Sequence, residues 1–138
     1  MSVVAYNEQE LKLLARLMRA EAEGEGVLGM LMVGNVGVNR VLANCLDFKD
    51  ITSVYKMVFQ RPGGFEATLN SYFYQSARES DIKLAKRSLK GERHDPATKA
   101  LWFYSTADSC SAQWWGQWNS GRYKSHCFYA PVDSEKCY

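Results

Sequence analysis

Asn7-Glu-Gln-Glu-Leu-Lys-Leu-Leu-Ala-Arg-Leu-Met-Arg-Ala-Glu-Ala-Glu-Gly-Glu25 is the stretch on which the reading of this chain turns. Asn7 followed by Glu10 offers an N-cap oxygen with a carboxylate at the third helical position. Leu11, Leu14, Ala15, Met18 and Ala22 recur at helical spacing until Gly24 stops the pattern. Setting Leu14 at zero and advancing ~100° per residue puts Glu21 about 20° away, at the edge of the apolar stripe. Lys12, Arg16, Arg19 and Glu23 fall on the opposite face. Glu21 is therefore expected toward the core, Glu23 toward solvent and Glu25, past the glycine, in a loop.

Outward from this helix, residues 29–42 are apolar on nearly every side, the mark of a helix buried mid-domain. Gly34 and Gly37 lower its helix propensity, and close approach of a neighbouring helix would explain them. A third helix is expected from Thr52 or Ser53 through Phe59, ended by Arg61-Pro-Gly-Gly64. A fourth runs from Ser76 or Ser80 to Lys90, with Gly91 as its stop. Its basic residues, spread over positions 83–93, are broken by Leu84, Ala85 and Leu89 and read as a solvated face. Leu101-Trp-Phe-Tyr104 and Lys124-Ser-His-Cys-Phe-Tyr129 suit short strands, with Trp114-Trp-Gly-Gln-Trp118 between them. The expectation is one α+β domain over residues 1–138, mainly helical, with a small β or loop-rich aromatic region.

A formal charge of +2 is nearly balanced and gives no basic surface for nucleic acid. No apolar run approaches the ~20 residues of a membrane span. The N-terminus lacks the basic start and apolar core of a signal peptide, so synthesis in a cytosol is expected. Cys45, Cys110, Cys127 and Cys137 form no C-x-x-C pair. An even number permits disulfides, but reduced, mostly buried thiols fit the missing signal better. Two isolated histidines without ligand spacing argue against a catalytic metal.

A carboxyl against apolar neighbours has its charged form disfavoured, and the negative end of the helix dipole pushes the same way. Glu21 thus has the position of a general acid, which must hold a proton near neutral pH. The structural alternative is an ion pair with Arg40 or another cation of the buried helix.

The residues resemble the SleB/CwlJ cell-wall hydrolases, the spore cortex-lytic enzymes of germination. The match begins in Leu14-Ala-Arg-Leu-Met-Arg-Ala-Glu21-Ala-Glu-Gly-Glu25 and continues through Val33-Gly-Asn-Val-Gly-Val-Asn39-Arg40-Val41. It runs on through Val58-Phe-Gln60-Arg-Pro-Gly-Gly-Phe65, residues 86–91, Ala100-Leu-Trp-Phe-Tyr104 and Lys124-Ser-His126-Cys-Phe128. The missing leader and short C-terminal extension look more like the CwlJ branch. Arg19-Ala20 and Glu23 stand where relatives often have a His-Gly pair and an Arg; these departures surround the acid and leave it in place.

The resemblance implies a lysozyme-like fold, cleavage of peptidoglycan glycan strands in spore cortex, and Glu21 as the catalytic glutamate. It implies synthesis in the mother cell and deposition in the spore coat, with a coat protein as partner. Calcium activation belongs to the same expectation, and no residue of the sequence displays it; no cofactor is otherwise expected.

Ordinary glycosidases use two carboxylates. Glu66, Glu25 and Asp108 are the candidates for the second, though each reads more readily as a solvated surface charge. A lytic transglycosylase needs only one, because the muramic acid 6-hydroxyl attacks the anomeric carbon. For the glycan, Gln60, Phe65, Tyr104, Trp114, Trp115 and His126 are the groove candidates, aromatic faces among a few polar groups. His94, beside Asp95-Pro96, reads as a loop residue. A glycan-binding or structural coat protein without turnover is the second reading, and a zinc amidase the third.

Overall fold

A computed structural model describes residues 2–138. Four helices precede a small sheet: α1 Glu8–Ala22, α2 Gly26–Ala43, α3 Val54–Val58 and α4 Glu79–Leu89, then β1 Trp102–Ser105, β2 Gln113–Trp114, β3 Gln117–Tyr123 and β4 His126–Ala130. The expected capping box forms, with Asn7 Oδ1 accepting from Glu10 N–H and the Glu10 carboxylate accepting from Asn7 N–H. The chain reverses at a 3-10 turn, Glu23–Glu25, so Glu25 is not in an irregular loop. Gly24, which ends the apolar pattern, lies inside this turn, and the residue at positive φ is Gly26, at 82°.

α2 is the central helix and begins earlier than its apolar run. Its glycines are where neighbours come closest. A Cβ on Gly34 would lie 2.3 Å from Ser88 Oγ of α4, and one on Gly37 3.0 Å from Met57 Cε of α3. Residues 8–43 together pass the length and hydropathy of a membrane span, but they break at the 3-10 turn and 72% of the apolar window is buried in the domain.

α1 is buried on a wider arc than the stripe predicts, and Arg19 corrects its outward assignment. It is 3% exposed, and its guanidinium donates to the carbonyls of Ser76 (2.7 Å), Gln75 (2.7 Å) and Tyr72 (3.2 Å). Asp81, at the start of α4, completes the site at 3.7 Å. A cation can be buried there because its two terminal nitrogens meet three carbonyls and the Asp81 carboxylate, Nε alone having no partner among the described residues.

All strand pairs are antiparallel, in the order β1-β4-β3-β2, with a bulge between Asn119 and Gly121. β3 is the longest strand and replaces the loop expected around the Trp cluster. Trp115 and Gly116 form its hairpin turn with β2, both at positive φ (53° and 81°).

The cysteines are not reduced. Cys45 bonds Cys137 across 92 residues and Cys110 bonds Cys127 across 17. Cys45, Phe48, Leu101 and Cys137 form a small second core beneath the main one, with Trp102 packed against it. Chemistry between thiols depends on which side chains the fold brings within reach, and spacing in the chain does not contain that information.

Candidate active site

A groove of about 1240 Å³ separates the helical half from the sheet. Glu21, in the last turn of α1, is half-buried in its wall. Its Oε2 accepts the Ala67 N–H at 3.2 Å. Burial holds its carboxyl above the ordinary carboxylate range; the Ala67 N–H pulls it back, the nearby Glu66 pushes it up and Arg40 draws it down.

Arg40 is close enough to be felt but forms no direct ion pair with Glu21 among the described residues. Its guanidinium is otherwise engaged, donating to Leu101 O (2.8 Å) and Gly63 O (3.1 Å) between the rings of Phe48 and Phe65. Burial lowers it to about 10, partly offset by Glu21, so it stays charged at neutral pH. One residue earlier, Asn39 donates to the carbonyls of Ala97, Thr98 and Ala100. These two residues of α2 fix the approach to β1, which carries the far wall of the groove.

All the residues singled out for the glycan line this groove, but in different ways. Trp115 is 85% exposed at the hairpin tip, so core packing does not explain it. Tyr104 stacks on Tyr129 behind it, and Trp114 packs at a tilt against both, 4.8 Å from Tyr104 between ring centroids. Tyr129 in turn donates to Ser111 O at 2.6 Å. Phe65 is 4% exposed and lies under Arg40, a floor rather than an open platform. Gln60 is buried, with Nε2 donating to Asp47 O at 3.3 Å and Oε1 unpartnered among the described residues. His126 is buried beside Phe103, and burial lowers its imidazole below the usual range against the pull of Glu25.

Of the second-carboxylate candidates, Glu25 and Glu66 line the groove and Asp108 does not. Ser125, Asp47 and Gln117 also line it and were not legible, since a serine in a turn, an aspartate in a 3-10 turn and a glutamine at the start of an unforeseen strand carry no periodic signal. His94 stands outside the groove, in a connection where its Nε2 meets Glu92 at 2.6 Å. Among the described residues no group of three or more His, Cys, Asp or Glu is placed to hold a metal ion.

Helices packed on a small antiparallel sheet, with an open groove between them and a protonatable glutamate at its wall, define an α+β, lysozyme-like domain. Two solved structures share it. The catalytic domain of the Bacillus cereus SleB protein superposes with a TM-score of 0.71 at 25% identity, over 91% of this chain and 92% of that one. The catalytic domain of a germination-specific lytic transglycosylase, SleB from Bacillus anthracis, has the same fold at TM-score 0.71 and 22% identity, over 91% and 97% of the two chains.

The chain belongs to the cell wall hydrolase family, whose model matches residues 24–129. That match starts just past Glu21. Similarity to curated relatives runs over nearly the whole chain: cell wall hydrolase CwlJ of Oceanobacillus iheyensis is 62% identical over 98% of this chain and 96% of its own. CwlJ of Bacillus subtilis is 51% identical over 99% and 95%. The expected family, fold class and enzymatic character are therefore borne out.

Proposed function

We propose that this cell-wall hydrolase cleaves the glycan strands of spore cortex peptidoglycan during germination, with Glu21 as general acid and then base. The observation that carries the reading is a half-buried carboxyl at the wall of a groove, its pKa raised above the ordinary carboxylate range by burial. The names of its relatives support the substrate. They are cell wall hydrolases, and a 26%-identical protein of Halalkalibacterium halodurans, matched over 89% of this chain and 35% of its own, is a spore cortex-lytic enzyme.

The groove suits a glycan because it carries aromatic faces at Trp114, Trp115 and Tyr104 for sugar rings. Glu21 gives its proton to the glycosidic oxygen as the bond from that oxygen to the anomeric carbon breaks. In the lytic transglycosylase form, the carboxylate left behind takes the proton of the muramic acid 6-hydroxyl as that oxygen bonds the same carbon. The product is then an anhydro sugar and Glu21 is returned to its acid form. In the muramidase form, water supplies the oxygen and the product is a reducing sugar. Two disulfides favour residence outside a reducing cytosol, in keeping with deposition in the spore coat beside a coat partner.

The test is Glu21→Gln on purified cortex, with released muropeptides read by mass spectrometry. Release should fall by roughly 10²–10⁴-fold while binding persists. Undiminished cleavage would leave a glycan-binding protein whose chemistry lies elsewhere. In the wild type, the mass of the muramic acid end distinguishes anhydro from reducing product.

A further inference from the structure

Glu25 is a groove carboxylate with no task in the cleavage steps above. It ends the 3-10 turn that follows α1, one turn of chain beyond Glu21. Its Oε1 accepts the Ser125 N–H at 3.0 Å and the Ser125 hydroxyl, and its backbone carbonyl accepts Lys124 Nζ at 3.1 Å. The same Oε1 lies 4.0 Å from His126 Nε2. Both partners of one turn, and the first residue of β4, therefore converge on a single glutamate about a hundred positions earlier in the chain.

These contacts join the two walls where no covalent link does. Cys110–Cys127 lies within the sheet half, and Cys45–Cys137 joins the end of α2 to the C-terminal segment. His126 depends on this join. It is 4% exposed, Phe103 packs against it at 5.0 Å between ring centroids, and its Nδ1 is buried without a hydrogen-bond partner among the described residues.

We propose that Glu25 is a positioning residue for the cleavage reaction: it clamps the Lys124–Ser125 turn to the helical wall and so sets the place of His126 in the groove that holds Glu21. This rests on the reading of Glu21 as the acid. Glu25 acts through hydrogen bonds that an amide oxygen can also accept, and that property separates positioning from direct chemistry.

The experiment compares kcat and KM for muropeptide release from cortex in Glu25→Ala, Glu25→Gln, Ser125→Ala and Glu21→Gln. Each is paired with a thermal melt and with the ¹⁵N signals of the His126 ring. Glu25→Ala should lower kcat about tenfold or more and leave KM within roughly twofold. Glu25→Gln should restore most of that loss, because its amide oxygen still accepts from Ser125. The His126 signals should move in the alanine variant and return in the glutamine variant. Full activity in Glu25→Ala overturns the proposal. So does a glutamine variant as inactive as the alanine one, which would place the charge of Glu25 itself in the reaction.

Should Glu25→Ala fail to fold, Ser125→Ala decides, since it removes one donor and keeps the backbone N–H. Unchanged kcat and unchanged His126 signals there overturn the clamp. Full activity in Glu21→Gln would instead overturn the cleavage reading, and it would do so without moving the His126 signals, so the two failures are distinguishable.

Discussion

The backbone N–H of Ala67 reaches across 46 positions of chain to donate to the Glu21 carboxyl at 3.2 Å. It is the one direct hydrogen bond to that carboxyl among the described residues, and it favours the charged form. Burial outweighs it, with the result that the carboxyl is harder to ionise in the folded chain than in the unfolded one.

That inequality has a sign in stability. A carboxyl whose folded pKa is raised contributes fully below its unfolded value, about 4.5, and the contribution is lost as pH rises through the folded value. Glu21→Gln never ionises. Its melting temperature should equal that of the wild type near pH 4 and exceed it at pH 7 to 8, by melts across that range. Cleavage by the wild type should fall as pH rises through the raised value, because the acid form is the one that donates. A glutamine variant less stable than wild type at pH 8 would mean that the Ala67 contact outweighs burial.

The disulfides give a ranking. In the chain-entropy account, stabilisation grows with the length of loop closed, and the loops here span 92 and 17 residues. Paired replacement of Cys45 and Cys137 by serine should therefore cost about 1.5 kcal/mol more than the same change at Cys110 and Cys127, each loss falling in a range of roughly 2–5 kcal/mol. Urea unfolding of the two paired variants measures the order.

Periodic features were legible in the sequence and non-local pairings were not. α1, α2 and α4 follow from apolar spacing and caps, and Glu21 follows from helical phase, because those signals are contained within a few turns of chain. β3 was missed because Gln117-Trp-Asn-Ser-Gly-Arg-Tyr123 holds no β-branched residue and three turn formers; its partner strands make it a strand. The cysteine pairing and the burial of Arg19 have the same origin. Each depends on what a distant segment supplies, and a family resemblance carries no such detail for a position where this chain departs from its relatives.

Trp115 offers a test of substrate contact with little structural interference. It is 85% exposed, and its side chain carries no described hydrogen bond, so Trp115→Ala should leave the melting temperature within roughly 1 °C. If a sugar ring stacks on it, KM for cortex fragments should rise about tenfold, the equivalent of about 1.4 kcal/mol, with kcat little changed. Trp118 is also exposed but outside the groove, so Trp118→Ala is the control that should leave KM unaltered. An equal rise in both variants would point to a general effect of the hairpin.

Arg19 should behave as the structural centre that its helical phase conceals. Arg19→Met keeps much of the buried volume and removes the donors to three carbonyls and the partner of Asp81. Asp81 retains Arg78 at 2.8 Å, so the loss stops short of leaving a lone buried charge. The expected destabilisation is about 3 kcal/mol, from carbonyls left without donors. Arg78→Ala, half exposed, should cost under about 1 kcal/mol while Arg19 remains. In the double variant Asp81 has neither cation, and the combined loss should exceed the sum of the single ones. Urea denaturation of the cycle measures that excess; strict additivity would mean that Asp81 does not couple the two arginines.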